Sequence, residues 1–553
     1  KMVLNSPIFS GWIQNIFGLN LLFFSIVSTR KRLGAQYRPD QKLHLAKEIL
    51  LNMTHLSISQ NTGKAYRLPN SNYDDKLDQF LETCDNSKPM VVVQGLGFVG
   101  LAMSLVVANS DKCNYNVIGV DQCKPDTYWK IPEIREGICP VKSSDKLFNL
   151  YFESALEQGN FFPTYDTRAY QHADVIIVDI NLDVDKALDK AGSLKSSSVS
   201  MCGFKSAIQS IGESCKENIL IIVETTVPPG TCSKIVKPII EENLRNRGLS
   251  TDMYTIGHSY ERVMPGPNYI NSIKNFYRVY SGIDKRSAIK TEEFLKTVIS
   301  TDNYPLTELQ NTESTEMAKV LENSYRAMNI SFMVEWSRFA EAAGVNLYDV
   351  VNAIRLRPTH SNMMLPGIGV GGYCLTKDPI MASWASQEFF EVDEGLRFSV
   401  SAVEVNDKMP EFAYKFVIDC IHKSKTQVRH VSLLGVSYAP GIGDTRFSPV
   451  EIFARKLIQN GFAVEYHDPY VTHWEEMFVD VENDMLKLTK ADSDLIIIST
   501  GHREYLDADL IYEHLNSFEK PPLLIDTVGL LSEEKLCNSY TLGKNYYVLG
   551  VGI

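Results

Sequence analysis

From Met90 onward the chain alternates short apolar runs with longer amphipathic stretches. Met90–Gln94, Val117–Val120, Val175–Val178 and Leu220–Val223 are β-branched runs bounded by Gly, Asp or Pro. Apolar runs of this kind, separated by helical stretches, predict parallel strands buried on both faces. From Glu313 to about Ala343 the pattern turns helical without Pro or Gly, which predicts one long central helix. Such a helix needs a partner for its apolar stripe, so a homodimer or larger homo-oligomer is expected. A second strand–helix series starts at Val431, with strands at Val464–Tyr466, Leu495–Ser499, Leu523–Asp526 and Tyr547–Leu549. The expected organisation is an extension or linker over 1–88, an α/β domain over 89–300, a helical domain over 301–425 and an α/β domain over 426–553. No fixed period suggests a solenoid.

The N-terminal stretch breaks this pattern. Residues 7–28 are apolar but interrupted by Gln14, Asn15 and Asn20, and Arg30, Lys31 and Arg32 follow. A spanning helix needs about 20 mostly apolar residues, and a signal peptide carries its charge before the apolar run. The readings left are a weak membrane-surface anchor, a docking helix, or sequence upstream of a start at Met53; a poorly ordered or non-native extension is expected. Composition narrows the class: 44% hydrophobic and 22% charged is ordinary globular usage. A net charge of -12 argues against a nucleic-acid partner. The 10 cysteines include no C-x-x-C pair and no metal-ligand spacing, which points to reduced thiols in a cytoplasmic enzyme and to no metal site.

The first chemical signature is Gly95-Leu96-Gly97-Phe98-Val99-Gly100, directly after a strand and before the helical stretch Leu101–Ala108. Asp121 closes the next strand, about 20 residues on, as a dinucleotide fingerprint requires. Gly95 permits the tight turn, Gly97 lets backbone approach a pyrophosphate, and Gly100 lets helix and strand pack closely. The pyrophosphate then rests on the helix N-terminus, where free N–H groups and the dipole favour negative charge. Asp121 suits ribose hydroxyls and repels a 2′-phosphate, so NAD is the expected cofactor. The fold class expected is α/β: two Rossmann-like doubly wound domains joined by a long-helix central domain.

The second signature runs from Pro366 to Pro379 and holds four glycines, then Cys374, Lys377 and Asp378. Glycines let backbone N–H groups approach a ligand. Cys374 is expected to begin a helix, where the dipole favours a thiolate.

Together these pieces resemble the UDP-glucose/GDP-mannose dehydrogenase family, matched in order from about Met90 to Ile553. The resemblance is carried by GLGFVG, VETTVPPGT (Val223–Thr231), YERVMPG (Tyr260–Gly266), EMAKVLENSYRAMNISFMVE (Glu316–Glu335), GIGVGGYCLTKDP, GDTRFSP (Gly443–Pro449) and YHDP (Tyr466–Pro469). It implies a four-electron oxidation of a UDP-sugar C6 alcohol to a uronic acid, with two NAD consumed, as in polysaccharide biosynthesis. Cys374 would form a thiohemiacetal with the intermediate aldehyde, then a thioester. Lys319 and Asn323, four apart on one helix face, match the groups that stabilise an oxyanion and position water. Asp378 matches an aspartate assisting proton transfer, and Glu261 an acid of thioester hydrolysis. The cofactor contacts implied are Gly95, Gly97, Phe98, Val99, Gly100, Asp121, Thr226, Lys377 and Arg446. The glycine loop, Lys377 and the C-terminal domain would serve the diphosphate and base, and the substrate contacts implied are Glu261, Arg262, Lys319, Asn323, Arg357, Gly371 and Tyr438. Arg357 is the one matched to a neighbouring subunit's substrate.

Several positions depart from the family pattern. Tyr438-Ala439-Pro440 stands where an aromatic-Lys-Pro turn is usual, Asp179–Asp183 replaces a proline-containing loop, and Tyr373 and Thr376 replace a small or His residue and Pro. YERVMPG resembles the UDP-N-acetylhexosamine subgroup, whereas Lys377-Asp378 resembles the UDP-glucose subgroup. Two rival readings remain: a single-step β-hydroxyacid-type NAD dehydrogenase and a non-catalytic nucleotide-sugar-binding protein. NADH formed per substrate, two, one or none, separates them.

Overall fold

The computed structural model describes residues 55–188, 194–263, 266–488, 493–506, 522–531 and 545–552. The apolar stretch at 7–28 and the start expected at Met53 lie outside the described residues, as do Met264 and Pro265 of YERVMPG. Among the described residues, 55–70 and 123–129 belong to one compact unit. Its described part holds an antiparallel hairpin, β1 (Leu56–Ile58) and β2 (Ala65–Arg67). The Ser57 hydroxyl of that hairpin accepts from the Trp129 amide at 2.9 Å.

The rest of the chain is the second unit. It opens with α1 (Asp75–Thr83), and the first sheet begins at β3 (Met90–Gln94). Next come α2 (Phe98–Ala108), β4 (Asn116–Val120), α3 (Lys130–Arg135), α4 (Lys146–Glu157), β5 (Phe161–Thr164) and β6 (Val175–Val178). A hairpin, β7 (Val184–Leu188) and β8 (Leu194–Val199), precedes α5 (Cys202–Ser214). The domain is completed by β9 (Leu220–Val223), α6 (Lys237–Asn246), β10 (Thr255–His258), α7 (Tyr269–Lys274), β11 (Val279–Gly282), α8 (Lys285–Val298) and β12 (Thr307–Glu308). Sheet order is β12-β11-β10-β9-β6-β3-β4-β5, with the six strands from β10 to β5 parallel and β11 antiparallel to β10. Strands β3, β4, β6 and β9 are buried at every position. Helices cover both faces, so the continuous β-branched runs meet no water.

The long helix α9 spans Thr312–Ala343. The Asn311 carboxamide caps its start by accepting from the Ser314 amide at 2.9 Å, and Gly344, with φ 68°, ends it in the left-handed region. It packs on α12 (Arg397–Ser424) and α11 (Asp378–Glu388), with the short α10 (Leu347–Arg355) between α9 and α11 in the chain. One stripe of α9 is exposed instead: Met317, Leu321, Tyr325, Met328, Phe332, Trp336 and Phe339. These follow a 4-4-3-4-4-3 spacing, which keeps them on one face.

The second sheet is built from β13 (His430–Leu434), β14 (Ala463–His467), β17 (Leu495–Ile498), β18 (Leu523–Asp526) and β19 (Tyr546–Val548). Its order is β14-β13-β17-β18-β19, all parallel, with helix α13 (Pro449–Gln459) joining the first pair. A two-stranded pair, β15 (His473–Trp474) and β16 (Val479–Asp480), buries Trp474. The molecule is therefore α/β, two doubly wound domains of Rossmann type joined by a long-helix segment. Among the described residues no helix is long and apolar enough to cross a membrane.

One local expectation is corrected. Cys374 does not begin a helix, because α11 starts at Asp378. The Lys377 and Asp378 amides donate to the Cys374 carbonyl at 3.1 and 2.9 Å, closing a turn first, and Pro379 then sits in the helix's first turn.

Candidate active site

The glycine turn after β3 has the geometry that its sequence demands. Gly95 has φ 103°, and a Cβ there would strike the Asp179 carbonyl oxygen. A Cβ on Gly100 would strike the Gly95 carbonyl, so both glycines serve the chain's own packing. Gly97 differs: its φ is -83° and a Cβ would find no atom within 4 Å. That open space admits a ligand over the turn, and a pyrophosphate fits it. Gly97 caps α2 without a side-chain bond, so the first-turn amides of Phe98 and Val99 face the same opening. Asp121, buried after β4, accepts from the Leu96 amide at 3.2 Å and from Lys130 Nζ at 2.9 Å. The cofactor residues expected from the turn are thus together. Thr226 is buried in the loop after β9, whose neighbour Thr225 donates to the Ile180 carbonyl at 2.8 Å.

Cys374 lies where three elements converge. Its side chain is open to solvent on one side, yet enough protein surrounds it that desolvation pushes the thiol up to about 11. Asp378 raises it further, while Lys319 and Lys377 pull it down. The free thiol is therefore protonated near neutrality, contrary to the dipole-stabilised thiolate expected from sequence. Desolvation is the first reason, and no helix start lies at Cys374 to offset it.

Lys319 reaches this cluster from the inner face of α9 and is buried. Its ammonium donates to the Glu261 carbonyl at 2.9 Å, lies 3.6 Å from the Glu261 carboxylate, and stands 5.3 Å over the Tyr260 ring. Burial alone would lower this ammonium; Glu261 first, then Cys374 and Asp378, hold it above its usual value, so it stays charged. One turn on, Asn323 donates to Asp378 at 2.6 Å. Lys377 pairs with the other Asp378 oxygen at 3.1 Å and stands 4.5 Å over the Tyr373 ring. Glu261 is the fourth charge felt by the thiol. The structure thus brings together Cys374, Lys319, Asn323, Asp378, Lys377 and Glu261. Next to them His258 is buried and held neutral, desolvation and Lys319 lowering it to about 3.

The remaining substrate residues divide. Arg262 pairs with Glu322 at 3.2 Å beside Tyr260. Tyr438, at the head of the second sheet, packs on the glycine loop: a Cβ at Gly371 would stand 2.6 Å from the Tyr438 Cβ, and one at Gly372 would meet its ring. Those glycines admit Tyr438 rather than a ligand. Arg446 bonds Asp444 at 2.6 Å and lies 4.4 Å over the Phe98 ring, so the second sheet domain reaches the cofactor turn of the first. Arg357 is exposed after α10, and among the described residues no contact of the Cys374 cluster reaches it.

Sequence reasoning missed several members. Tyr260 supplies the ring under Lys319. Glu316, one turn before Lys319, accepts from the Cys232 amide at 2.8 Å and the Gly230 amide at 2.6 Å, fixing the VPPGT loop. Two departures from the family pattern prove to be one feature: the Tyr373 hydroxyl donates to Asp183 at 2.6 Å and to the Leu182 carbonyl at 3.0 Å. Each was visible as an anomaly; their pairing was not.

The chain matches the UDP-glucose/GDP-mannose dehydrogenase family in three parts: the NAD binding domain over 89–299, the central domain over 313–408 and the UDP binding domain over 432–533. UDP-N-acetyl-D-mannosamine dehydrogenase of Methanocaldococcus jannaschii is 30% identical over 469 residues, 84% of this chain and 96% of the relative. NDP-N-acetyl-D-galactosaminuronic acid dehydrogenase of Ralstonia solanacearum is 24% identical, covering 81% and 97%. Among solved structures, UDP-D-ManNAc dehydrogenase of Pyrococcus horikoshii superposes with TM-score 0.67 at 24% identity, covering 84% of this chain and 99% of that one. A UDP-glucose dehydrogenase of Pyrobaculum islandicum gives 0.66 at 21%, covering 84% and 98%.

Proposed function

Because this chain belongs to the UDP-glucose/GDP-mannose dehydrogenase family, we propose that it oxidises the C6 alcohol of a UDP-N-acetylhexosamine to a carboxylate through Cys374. It is an NAD-dependent nucleotide-sugar dehydrogenase. The observation that carries the residue assignment is the convergence of the Cys374 thiol with a buried charged lysine, Lys319, and the Asn323–Asp378 pair. NAD supplies the hydride acceptor for each of the two oxidations.

The chain's own groups do the rest. Once C6 is an aldehyde, Cys374 Sγ bonds to it and the carbonyl oxygen gains the proton that the thiol loses, with Lys319 beside that oxygen to stabilise its charge. After the second oxidation the carbon is a thioester. Asn323 and Asp378 orient the water that attacks it, and Glu261 takes up the proton released. The C–S bond breaks, returning the thiol and a uronic acid. Arg446, bridging to Phe98, and Lys377 suit the phosphates by their charge. The division at 89–300, 301–425 and 426–553 assigns cofactor, nucleophile and nucleotide to successive domains.

An N-acetylhexosamine is favoured over glucose by the 30% identical relative and by Arg262 of YERVMPG, held beside Tyr260 near the nucleophile. The exposed stripe of α9 supports a homodimer through that helix. The free cysteines support a reducing, cytoplasmic setting. NADH release measured across UDP-GlcNAc, UDP-GalNAc, UDP-ManNAc and UDP-glucose, with Cys374→Ala alongside, tests the reading. The expected result is two NADH per UDP-N-acetylhexosamine and a loss of acid formation of at least about 10³-fold in the variant. Native-rate acid formation without the thiol would overturn it. Iodoacetamide labelling of the free enzyme should rise with pH up to about 11 and slow in Lys319→Met, since that ammonium lowers the thiol.

A further inference from the structure

A buried acid stands at the cofactor edge, at the start of the stretch that replaces a proline-containing loop. Asp179 follows β6 directly, and its Cβ would lie 3.1 Å from a Cβ on Gly100, against the first turn of α2. The side chain is 9% exposed, and neither carboxyl oxygen meets an N–H or hydroxyl donor among the described residues. Its neighbour is a second carboxyl, Glu224: β6 and β9 pair Val178 with Val223, so the residues that follow stand side by side, and Glu224 is buried and ion-paired to the buried Arg278. Two bare carboxylates side by side out of water repel and offer each other no donor, so a donorless Asp179 beside Glu224 favours a proton. Burial first, then the Glu224 charge, pushes Asp179 well above the usual carboxylate range; burial raises Glu224 too, with Arg278 pulling it back. The other ionisable groups facing the pair are Glu261 after β10 and Tyr269 of α7.

Asp121, ending β4, marks the adenosine half of the cofactor. The dinucleotide crosses the carboxyl ends of the strands, so its other half lies over β6, β9 and β10. That half changes charge in the reaction: the nicotinamide ring is cationic when oxidised and neutral when reduced. We propose that the buried, donorless Asp179 beside Glu224 discriminates the two redox forms, releasing its proton to solvent when oxidised dinucleotide binds and keeping it when reduced dinucleotide binds. This rests on the Gly95–Gly100 turn being the cofactor site. The affinity for NAD+ then rises with pH while that for NADH stays flat, which favours exchange of product for fresh oxidant after each oxidation.

The test is calorimetric titration with NAD+ and with NADH, each in two buffers of different ionisation heat, from pH 6 to 9. Wild type, Asp179→Asn and Gly97→Val are compared. The wild type should release a proton with NAD+ and none with NADH. Asp179→Asn keeps the side chain's shape but has no proton to give. Its proton release should vanish and its NAD+/NADH preference at high pH should fall about fivefold or more. Asp179→Val serves the same readout if the amide variant folds poorly. Unchanged proton release and pH dependence in a folded variant overturn the inference. Undiminished NAD+ binding by Gly97→Val would instead overturn the cofactor site itself.

Discussion

The two sheet domains repeat one frame and use it differently. Each turns after its leading strand on a glycine of positive φ, Gly95 at 103° and Gly435 at 91°, where a Cβ would meet Asp179 in one and Thr500 in the other. Each closes its second strand on a buried aspartate, Asp121 after β4 and Asp468 after β14. In the first domain α2 begins at Phe98, leaving its N-terminal amides at the turn. In the second, α13 waits until Pro449, and the intervening loop takes over the aspartate. Asp468 accepts from the Val436, Ser437 and Tyr470 amides at 2.9, 3.0 and 2.9 Å and from His502 at 3.1 Å. His502 in turn accepts from the Gly441 amide at 3.1 Å. Asp121 also has protein donors, but one is Lys130, a side chain that a ribose hydroxyl can replace. An acid at the same topological position thus keeps a replaceable side-chain donor in one domain and is a loop clamp in the other, according to which donors the chain itself supplies.

Removing the clamp gives the largest expected effect. Asp468→Ala leaves three amides and His502 without their acceptor, at about 3–5 kcal/mol, read by denaturant unfolding of the intact protein; an unchanged midpoint would break the comparison. Burial by itself would raise Asp468, but the His502 bond and the Tyr470 and Ser437 amides outweigh it and hold the carboxyl below its usual range. Its stabilisation is therefore present above the unfolded-state value and lost as pH falls through the lowered one. The acid-unfolding profile checks this.

Gly97→Val probes the other half of the contrast. Since no atom lies within 4 Å of a Cβ there, its unfolding midpoint should match wild type. NAD affinity should fall more than about tenfold, or 1.4 kcal/mol. Gly435→Val, blocked by Thr500, should instead lose stability. A smaller effect is expected from Asp121→Asn. It weakens NAD binding by about 1 kcal/mol and raises the relative affinity for NADP, because Lys130 is released from the carboxylate; fluorescence titration with both dinucleotides measures the ratio. Smallest is Ser437→Ala, which removes a hydroxyl bonded to His502 at 3.0 Å and should cost about 1 kcal/mol.

The strands were the most legible part. Met90–Gln94, Val175–Val178, Leu220–Val223 and Leu523–Asp526 run as their apolar patterns predict, since a strand buried on both faces writes itself as an unbroken apolar run. Helix α9 was legible from the absence of Pro and Gly and from Gly344 at its end. The β7–β8 hairpin was not, because Leu194–Val199 is half serine and largely unburied, and its identity comes from cross-strand pairing. Nor was the turn at Cys374, expected as a helix start, because Pro379 suits a helix's first turn and the helix begins only at Asp378.

Local rules acting on neighbouring residues, turn sterics, strand burial and helix capping, were enough for the sequence by itself to determine the glycine turn, the parallel sheets and the long helix. Which side chains meet was decided only in three dimensions. Lys319 became a buried cation because Glu261, 58 positions away, came beside it. Tyr373 found Asp183 across 190 positions, and Asp179 became an acid without donors because β9 set Glu224 next to it. Charge and protonation depend on distance and solvent access through space, and neither is a property of order along the chain.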